Sequence, residues 1–418
     1  MTHRMSPRRS FVIAFCLAAP LFAAQEKPSW EVNFDQGMAD FDAGRFAQAV
    51  SPLAASLAQA RKFPQPDQRT VKSAHTLAIT YQLQGNLTQA ESLFLEAKSA
   101  VEALGPKGNS LLGYVLDGLG ELRLDQGRPM EAEPLLRQAM QACRAAHGET
   151  HLCTLTAARH LGVLLTVRGS PAEAEDLLQN VIGILHRDSS LPRDFLAGCL
   201  ANLATAYMAE GRYEPAEPLL KESLELGNQE GNPAPVLADT LLDLGELYRL
   251  ENNASRAEPL LNKALHIYEA ANDPQQAAAL SQLGRVAIDQ GKYAVAKQRL
   301  HQSLAIYQHL LGSAHVLVAR VKAGLAEAFL GERNYTEAKS LIQDALETER
   351  KTGGADDSSF ARLLMIAGKI EEQDHCASEA AEYYRQALDI YRKSLQSSHP
   401  ERTQAEQQYA RFAKSLRK

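Results

Sequence analysis

Three columns of residues recur nine times along this chain, at intervals of 39 to 42 residues. The stretch from Leu203 to Leu220 shows the unit: LATAYMAEGRYEPAEPLL. Before Gly211, the residues Leu203, Ala204 and Tyr207 share one helical face. After it, Ala216, Leu220 and Ser223 are spaced four and three apart, again on one face. Gly211 sits where a chain leaving a helix turns left-handed, a conformation glycine adopts without a Cβ penalty. The stretch therefore reads as helix, turn, helix.

The equivalents of Gly211 are Gly44, Gly85, Gly127, Gly169, Asn252, Gly291, Arg333 and His375. Five residues after each turn stands an alanine: Ala49, Ala90, Ala132, Ala174, Ala216, Ala257, Ala296, Ala338 and Ala380. Seven before it the residue is always Gly or Ala, as in Gly37, Gly120, Ala204 and Gly368. Nine after it stands a large apolar residue, from Leu53 and Phe94 to Ile342 and Tyr384. Small residues let two helices approach closely, and the large ones fill the space beside the contact. One such hairpin cannot bury its apolar face alone, so the copies must stack. The 418-residue length would otherwise suggest two or three domains. A stacked array grows without enlarging any single core.

The order Leu-Gly/Ala, Tyr, turn, Ala-x-x-x-Leu/Phe resembles the tetratricopeptide repeat. Leu77, Leu119, Leu161 and Leu244 carry its leucine, and Tyr81, Tyr207 and Tyr248 its tyrosine. Ala74 and Leu116 stand where the family has an early tryptophan. The period near 42, with Gly148-x-x-His151 and Gly312-x-x-His315, resembles the longer-helix variety typified by kinesin light chains. His399-Pro400 looks like a third copy of that junction, with Gln396 in place of its glycine. Asn202 alone keeps the second of that variety's paired asparagines; His160, Asp243 and Gln282 occupy the place elsewhere. The resemblance thus implies the fold, from about residue 30 to 418, and not a cargo. That fold is all-α: a right-handed solenoid of about nine antiparallel helix-turn-helix repeats over 30–400, with a C-terminal capping helix over 401–418.

Residues 1–24 differ from the rest. Arg4, Arg8 and Arg9 precede an uncharged, mostly apolar run from Phe11 to Ala24, and acidic residues begin at Glu26. This is the layout of a secretory signal, cleaved after Ala23 or Ala24 and followed by a short linker over 25–29. Arg8-Arg9-Ser10-Phe11-Val12 also resembles a twin-arginine export signal. The expected location is periplasmic or secreted. No later stretch is apolar enough to span a bilayer, so no stable membrane span is expected after signal removal.

Without residues 1–24 the chain carries 41 Lys+Arg against 50 Asp+Glu, a net charge of −9. That balance argues against nucleic acid or an anionic membrane as the main partner. Four cysteines remain, Cys143, Cys153, Cys199 and Cys376. Cys143 and Cys153 flank Gly148 symmetrically and leave two readings open. One is a disulfide in an oxidising compartment; the other, the simpler expectation, is two buried small apolar residues.

Catalytic signatures are missing from the sequence: no G-x-x-x-x-G-K-[ST], G-x-S-x-G or H-E-x-x-H. His147 and His151 are four apart, but Gly148 between them belongs to a connector and breaks the helical spacing that a shared metal would need. His151 has column-mates in His315 and His399, which points to a helix-start role. Asn86, Asn253 and Asn334 open glycosylation sequons, yet all fall at hairpin turns where Asn is expected on backbone grounds. Pro134, Pro218 and Pro259 recur seven residues after the turn and are expected early in the second helix. No cofactor and no metal is expected, and the chain is not expected to be an enzyme.

What remains is surface. The tetratricopeptide resemblance implies that the first helix of each pair lines a concave groove. By column, that places Asp117, Glu121, Arg159, Asn202, Glu246, Arg249, Arg285 and Glu327 in it, with His75, Met365 and Lys369 at further equivalent positions. The set is mixed in sign and lacks the repeated Lys/Asn pattern with which chaperone-binding members hold a carboxylate. It suits an extended peptide or a helix of another protein. The expected role is an exported scaffold for such a partner, with a peptide-sensing regulator as the alternative. Exposed end hairpins leave self-association open.

Overall fold

The protein is described from a computed structural model, which covers residues 29–228, 234–352 and 358–416. The leader over 1–24, most of the linker after it, and the connectors at 229–233 and 353–357 lie outside the described residues. Nineteen α-helices and one 3-10 turn, Gly105–Gly108, make up the described chain, with no strand among the described residues.

Helices α1 (Ser29–Asp42) and α2 (Phe46–Ala60) form the first hairpin, α3 (Gln68–Leu83) and α4 (Leu87–Ala103) the second. The third is α5 (Asn109–Asp125) with α6 (Pro129–His147), the fourth α7 (Leu152–Val167) with α8 (Pro171–Arg187). Next come α9 (Arg193–Ala209) with α10 (Ala216–Gly227) and α11 (Ala234–Leu250) with α12 (Ala254–Ala270). The last three are α13 (Gln276–Asp289) with α14 (Tyr293–Leu311), α15 (Val316–Gly331) with α16 (Tyr335–Lys351), and α17 (Ser358–Gln373) with α18 (Ala377–Ser394). Helix α19 (Pro400–Ser415) follows them. The array begins one residue before the expected start, and the last helix begins one residue early.

Two compact units divide the chain. The N-terminal unit holds the described residues to 164 together with 177–195; the C-terminal unit holds 165–176 and 196 onward. The same packing builds both. All nine turn residues have positive φ, including the non-glycines Asn252 (60°), Arg333 (60°) and His375 (63°). All nine alanines five residues later are 0% exposed. A Cβ added to Gly37, Gly120, Gly162, Gly245, Gly284 or Gly368 would come within 2.5–2.8 Å of the large residue sixteen places on. The small column and the large column are therefore two sides of one contact. Each fully buried leucine in it is worth about 1.5–3 kcal/mol of removed apolar surface.

The histidine column is structural, as expected. Nδ1 of His151, His315 and His399 each accepts the backbone N–H two residues on, at 3.1, 3.1 and 3.2 Å. Each ring thus satisfies one of the donors left open at a helix start. Asn253 and Asn334 cap α12 and α16 in the same manner. The prolines meet the expectation in part: Pro218 is the third residue of α10, in its first turn. Pro134 and Pro259 are the sixth residues of α6 and α12, beyond the first turn. In those two hairpins the second helix starts two residues after the left-handed turn, which carries position seven into the helix interior; α10 starts five residues after Gly211.

Cys143 and Cys153 are joined, against the simpler expectation of two buried thiols. The Gly148 connector reverses the chain between α6 and α7 and brings their Cα atoms to 5.6 Å, within bridging distance. Cys199 is buried and not part of a disulfide.

Candidate functional site

In the N-terminal unit the first-helix positions converge on His160. Its Nδ1–H donates to both oxygens of Asp117, at 2.9 and 3.0 Å. Its Nε2 accepts from the Arg159 guanidinium at 3.0 Å and lies 3.9 Å from Glu121. Helix α5 supplies the two acids and α7 the two bases, at adjacent repeats. Burial alone would lower the His160 pKa; the charges of Asp117 and Glu121 and the Asp117 hydrogen bond outweigh it and hold it above the usual value. His75 on α3 goes the other way. Burial pushes it down to about 4, although its ring meets the Tyr114 carbonyl at 3.1 Å and feels Asp117 and Glu121.

Glu121 and Arg159 are only 4% and 2% exposed, with the Arg159 guanidinium also over the Phe195 ring at 5.0 Å. These groups hold one another rather than lining open surface. The Asp117–His160 pair has the geometry of an orienting carboxylate and an imidazole. The imidazole's second nitrogen, where a general base would take a proton, is occupied by Arg159.

In the C-terminal unit Asn202 on α9 is 5% exposed and its Nδ2 has no hydrogen-bond partner. Glu246 is buried on α11. One turn on, Arg249 reaches Gln282 Oε1 at 3.3 Å and Asp289 at 3.4 Å, both on α13. Arg285 lies between those two contacts on the same face of α13. Burial first, then the like charge of Arg249 and of Arg362, lower its pKa to about 10, against the opposing charges of Glu327 and Asp289. Arg362 on α17 ion-pairs with Glu401 on α19 and also feels Glu246. Tyr213, after the α9–α10 turn, feels Glu401, Arg249, Arg362 and Glu246. The unit thus brings Glu246, Arg249, Arg285 and Glu327 into one electrostatic neighbourhood.

Arg362, Glu401 and Tyr213 were not among the sequence-derived candidates. Arg362 had a readable signal, since 362, 365 and 369 continue one helical stripe. Glu401 and Tyr213 had none, because they enter from the last helix and from a turn.

Among the described residues, three potential metal ligands meet at Glu371, Asp374 and Cys376. The Lys339 ammonium already sits there, 2.7 Å from Glu371 and 2.6 Å from Asp374. His147 and His151 stack at 4.4 Å; the His147 ring meets the Ser110 carbonyl, and His151 Nδ1 is its helix cap. No described helix is long and apolar enough to cross a membrane.

Tetratricopeptide repeat profiles match residues 112–185, 196–270 and 275–351, and a second such profile matches 70–107 and 377–401. The chain belongs to the tetratricopeptide repeat family. No curated protein sequence matches it. Among solved structures it is similar to a Rap protein complexed with Competence and Sporulation Factor, at 14% identity and a TM-score of 0.68 over 87% of this chain and 98% of that one. It is also similar to the apo quorum sensor NprR from B. thuringiensis, at 13% identity and a TM-score of 0.57 over 86% and 98%. A third is aspartyl phosphate phosphatase F from Bacillus subtilis, at 13% identity and a TM-score of 0.54 over 88% and 96%. These likenesses are of fold: an all-α tetratricopeptide solenoid.

Proposed function

We propose that this protein is an exported, non-catalytic scaffold that holds a peptide or protein segment against the first helices of its C-terminal unit. The observation that carries the reading is the gathering of Glu246, Arg249, Arg285, Glu327 and Arg362 from four successive first helices into mutual charge range. Such a mixed-sign strip suits an extended segment that alternates polar and charged contacts. The Rap and NprR structures share the fold, and the Rap protein is named with a bound factor. The absence of a catalytic role is supported by His160, whose second nitrogen is taken by Arg159.

Export is supported by the basic-then-apolar leader and by the Cys143–Cys153 disulfide, since such bonds persist in oxidising compartments. Mass spectrometry of the protein from fractionated cells tests this. The expected mature chain begins at Ala24 or Gln25 and is found outside the cytoplasm.

Affinity capture tests the scaffold role, with the protein and a triple variant (Arg249→Gln, Arg285→Gln, Glu327→Gln) as parallel baits against envelope and secreted fractions. A partner retained by the first and lost by the second locates binding on this strip. Equal retention moves the site elsewhere, and turnover of a small molecule by the pure protein would contradict the non-catalytic reading. A second reading, a peptide-sensing regulator, is favoured by the contact that brings α19 onto the α9–α10 turn, where His399 meets Ala209. A peptide that raises thermal stability in the absence of any protein partner would support it.

A further inference from the structure

Helices α6 and α7 meet at a junction built from two histidines and a disulfide. His147 is the last residue of α6 and His151 directly precedes α7, with Gly148 opening the connector between them at φ 92°. The two rings stack at 4.4 Å, 19° from parallel. His147 donates its Nε2–H to the Ser110 carbonyl of α5 at 2.9 Å and meets the Tyr114 ring edge-on. His151 uses its Nδ1 to accept the Cys153 amide at 3.1 Å. Cys153, the second residue of α7, is joined to Cys143, one turn before the end of α6.

The His151 cap exists only while the ring is neutral. An imidazolium carries N–H on both nitrogens and has no lone pair to offer the amide. Its charge would also sit at a helix N-terminus, where the macrodipole is positive, and against the face of His147. Burial first, then the charge of His147, hold the His151 pKa below the usual value. The charged groups of the connector, Arg144 and Glu149, pair with each other at 2.8 Å. Burial pushes the Tyr114 phenol up to about 12, so it stays neutral. A depressed folded value means that the cap's contribution is full above the unfolded value of about 6.5 and is lost as pH falls below it.

The disulfide fastens the start of α7 to α6 whether or not the cap is made. Neither feature recurs at the related junctions. His315 and His399 make the same cap, but Leu311 and Leu395 stand at the place of His147, and Tyr307 and Tyr391 at that of Cys143. The junction with the second imidazole is the one with the covalent bond.

We propose that the α6–α7 junction is a joint that mild acid opens when Cys143 and Cys153 are reduced, and that their disulfide holds shut when they are oxidised. Reduction needs a dithiol, which supplies two electrons and two protons, leaves two thiols on the protein and departs as its own disulfide. The joint lies in the N-terminal unit and does not depend on the peptide-binding reading.

The test is hydrogen–deuterium exchange with mass spectrometry on the full chain, read over residues 152–156 at pH 7.5 and 5.5 and corrected for intrinsic exchange. Three forms are compared: oxidised, reduced with dithiothreitol before the pH is set, and Cys143→Ser/Cys153→Ser. In the last two, opening is expected to rise about tenfold at pH 5.5, and in the oxidised protein about twofold or less. His151→Asn keeps a capping side chain that does not titrate, and in the serine background is expected to remove the response. His147→Gln is expected to reduce it. Circular dichroism verifies that each variant is folded. An equal response in oxidised and reduced protein overturns the restraint. Exchange that ignores pH in the reduced protein, or a response that survives His151→Asn, overturns the acid-sensitive cap.

Discussion

The Nε2–H of His399 donates to the carbonyl of Ala209 at 2.9 Å, across 190 residues of chain. The ring's Nδ1 accepts from the Glu401 amide, which leaves the proton on Nε2 and fixes the tautomer. Beside it the Pro400 ring lies so close to Gly211 that a Cβ there would stand 2.2 Å from its Cδ. In the C-terminal unit, the α9–α10 turn and the start of α19 are therefore in contact.

That contact separates two otherwise equivalent histidines. His399→Ala is expected to lose both the helix cap and the bond to Ala209, roughly 2 kcal/mol in all. His151→Ala loses a cap and its stacking on His147, about 1 kcal/mol. Urea denaturation of the two variants measures the difference; equal losses would show that the Ala209 bond contributes nothing.

The same contact separates two glycines. Gly211 and Gly291 share φ 71°, so replacing either by Ala strains the backbone by about 1–2 kcal/mol. A Cβ on Gly291 meets nothing within 4 Å, whereas one on Gly211 meets Pro400. Gly211→Ala is expected to lower the thermal midpoint distinctly more than Gly291→Ala.

Two turns carry side chains where glycine would fit. Arg333 and His375 are exposed, with φ of 60° and 63°. Arg333→Gly and His375→Gly relieve the left-handed strain at the cost of added unfolded-state freedom. Each is expected to stabilise by roughly 0.5–1 kcal/mol, read as a small rise in melting temperature by calorimetry.

The N-terminal unit has two opposed histidines. The folded-state pKa of His75 is depressed to about 4, so the unfolded chain binds the extra proton first as pH falls. Stability is then lost between pH 6.5 and about 4, by up to roughly 3 kcal/mol. His160 is raised, so its contribution is full below 6.5 and is lost as pH rises through its folded value. His75→Gln is expected to flatten the acid side of the stability profile, and Asp117→Asn the side above 6.5. Denaturation midpoints across pH 4–9 measure both.

The Cys143–Cys153 bond closes a loop of ten residues in separation. Reduction, or replacement of both cysteines by Ser, is expected to cost about 3 kcal/mol in the chain-entropy account. A comparison of unfolding with and without dithiothreitol checks it.

Much of this protein was legible because local geometry repeats. The alanine and leucine columns name residues that touch within one hairpin, sixteen positions apart, as Gly120 and Leu136 do. The left-handed turn demands glycine or a tolerant substitute at one place per repeat. Such short-range requirements leave a mark in every copy, and nine copies make the mark readable. The candidate site was legible only as a stripe. Column position put Asp117, Arg159 and Arg285 on first helices, and said nothing of which charges would meet.

The sequence by itself determined the all-α repeat, its turn positions, its buried columns and the histidine caps. Each depends on residues close in the chain, whose separation the helix geometry dictates. Only the tertiary structure decided that Cys143 joins Cys153, that Arg159 closes off His160, and that His399 finds Ala209. It also decided that Arg249 takes Asp289. Those outcomes depend on how each repeat is rotated against the next, an angle set by the sum of many packing contacts, which no single residue in the sequence records.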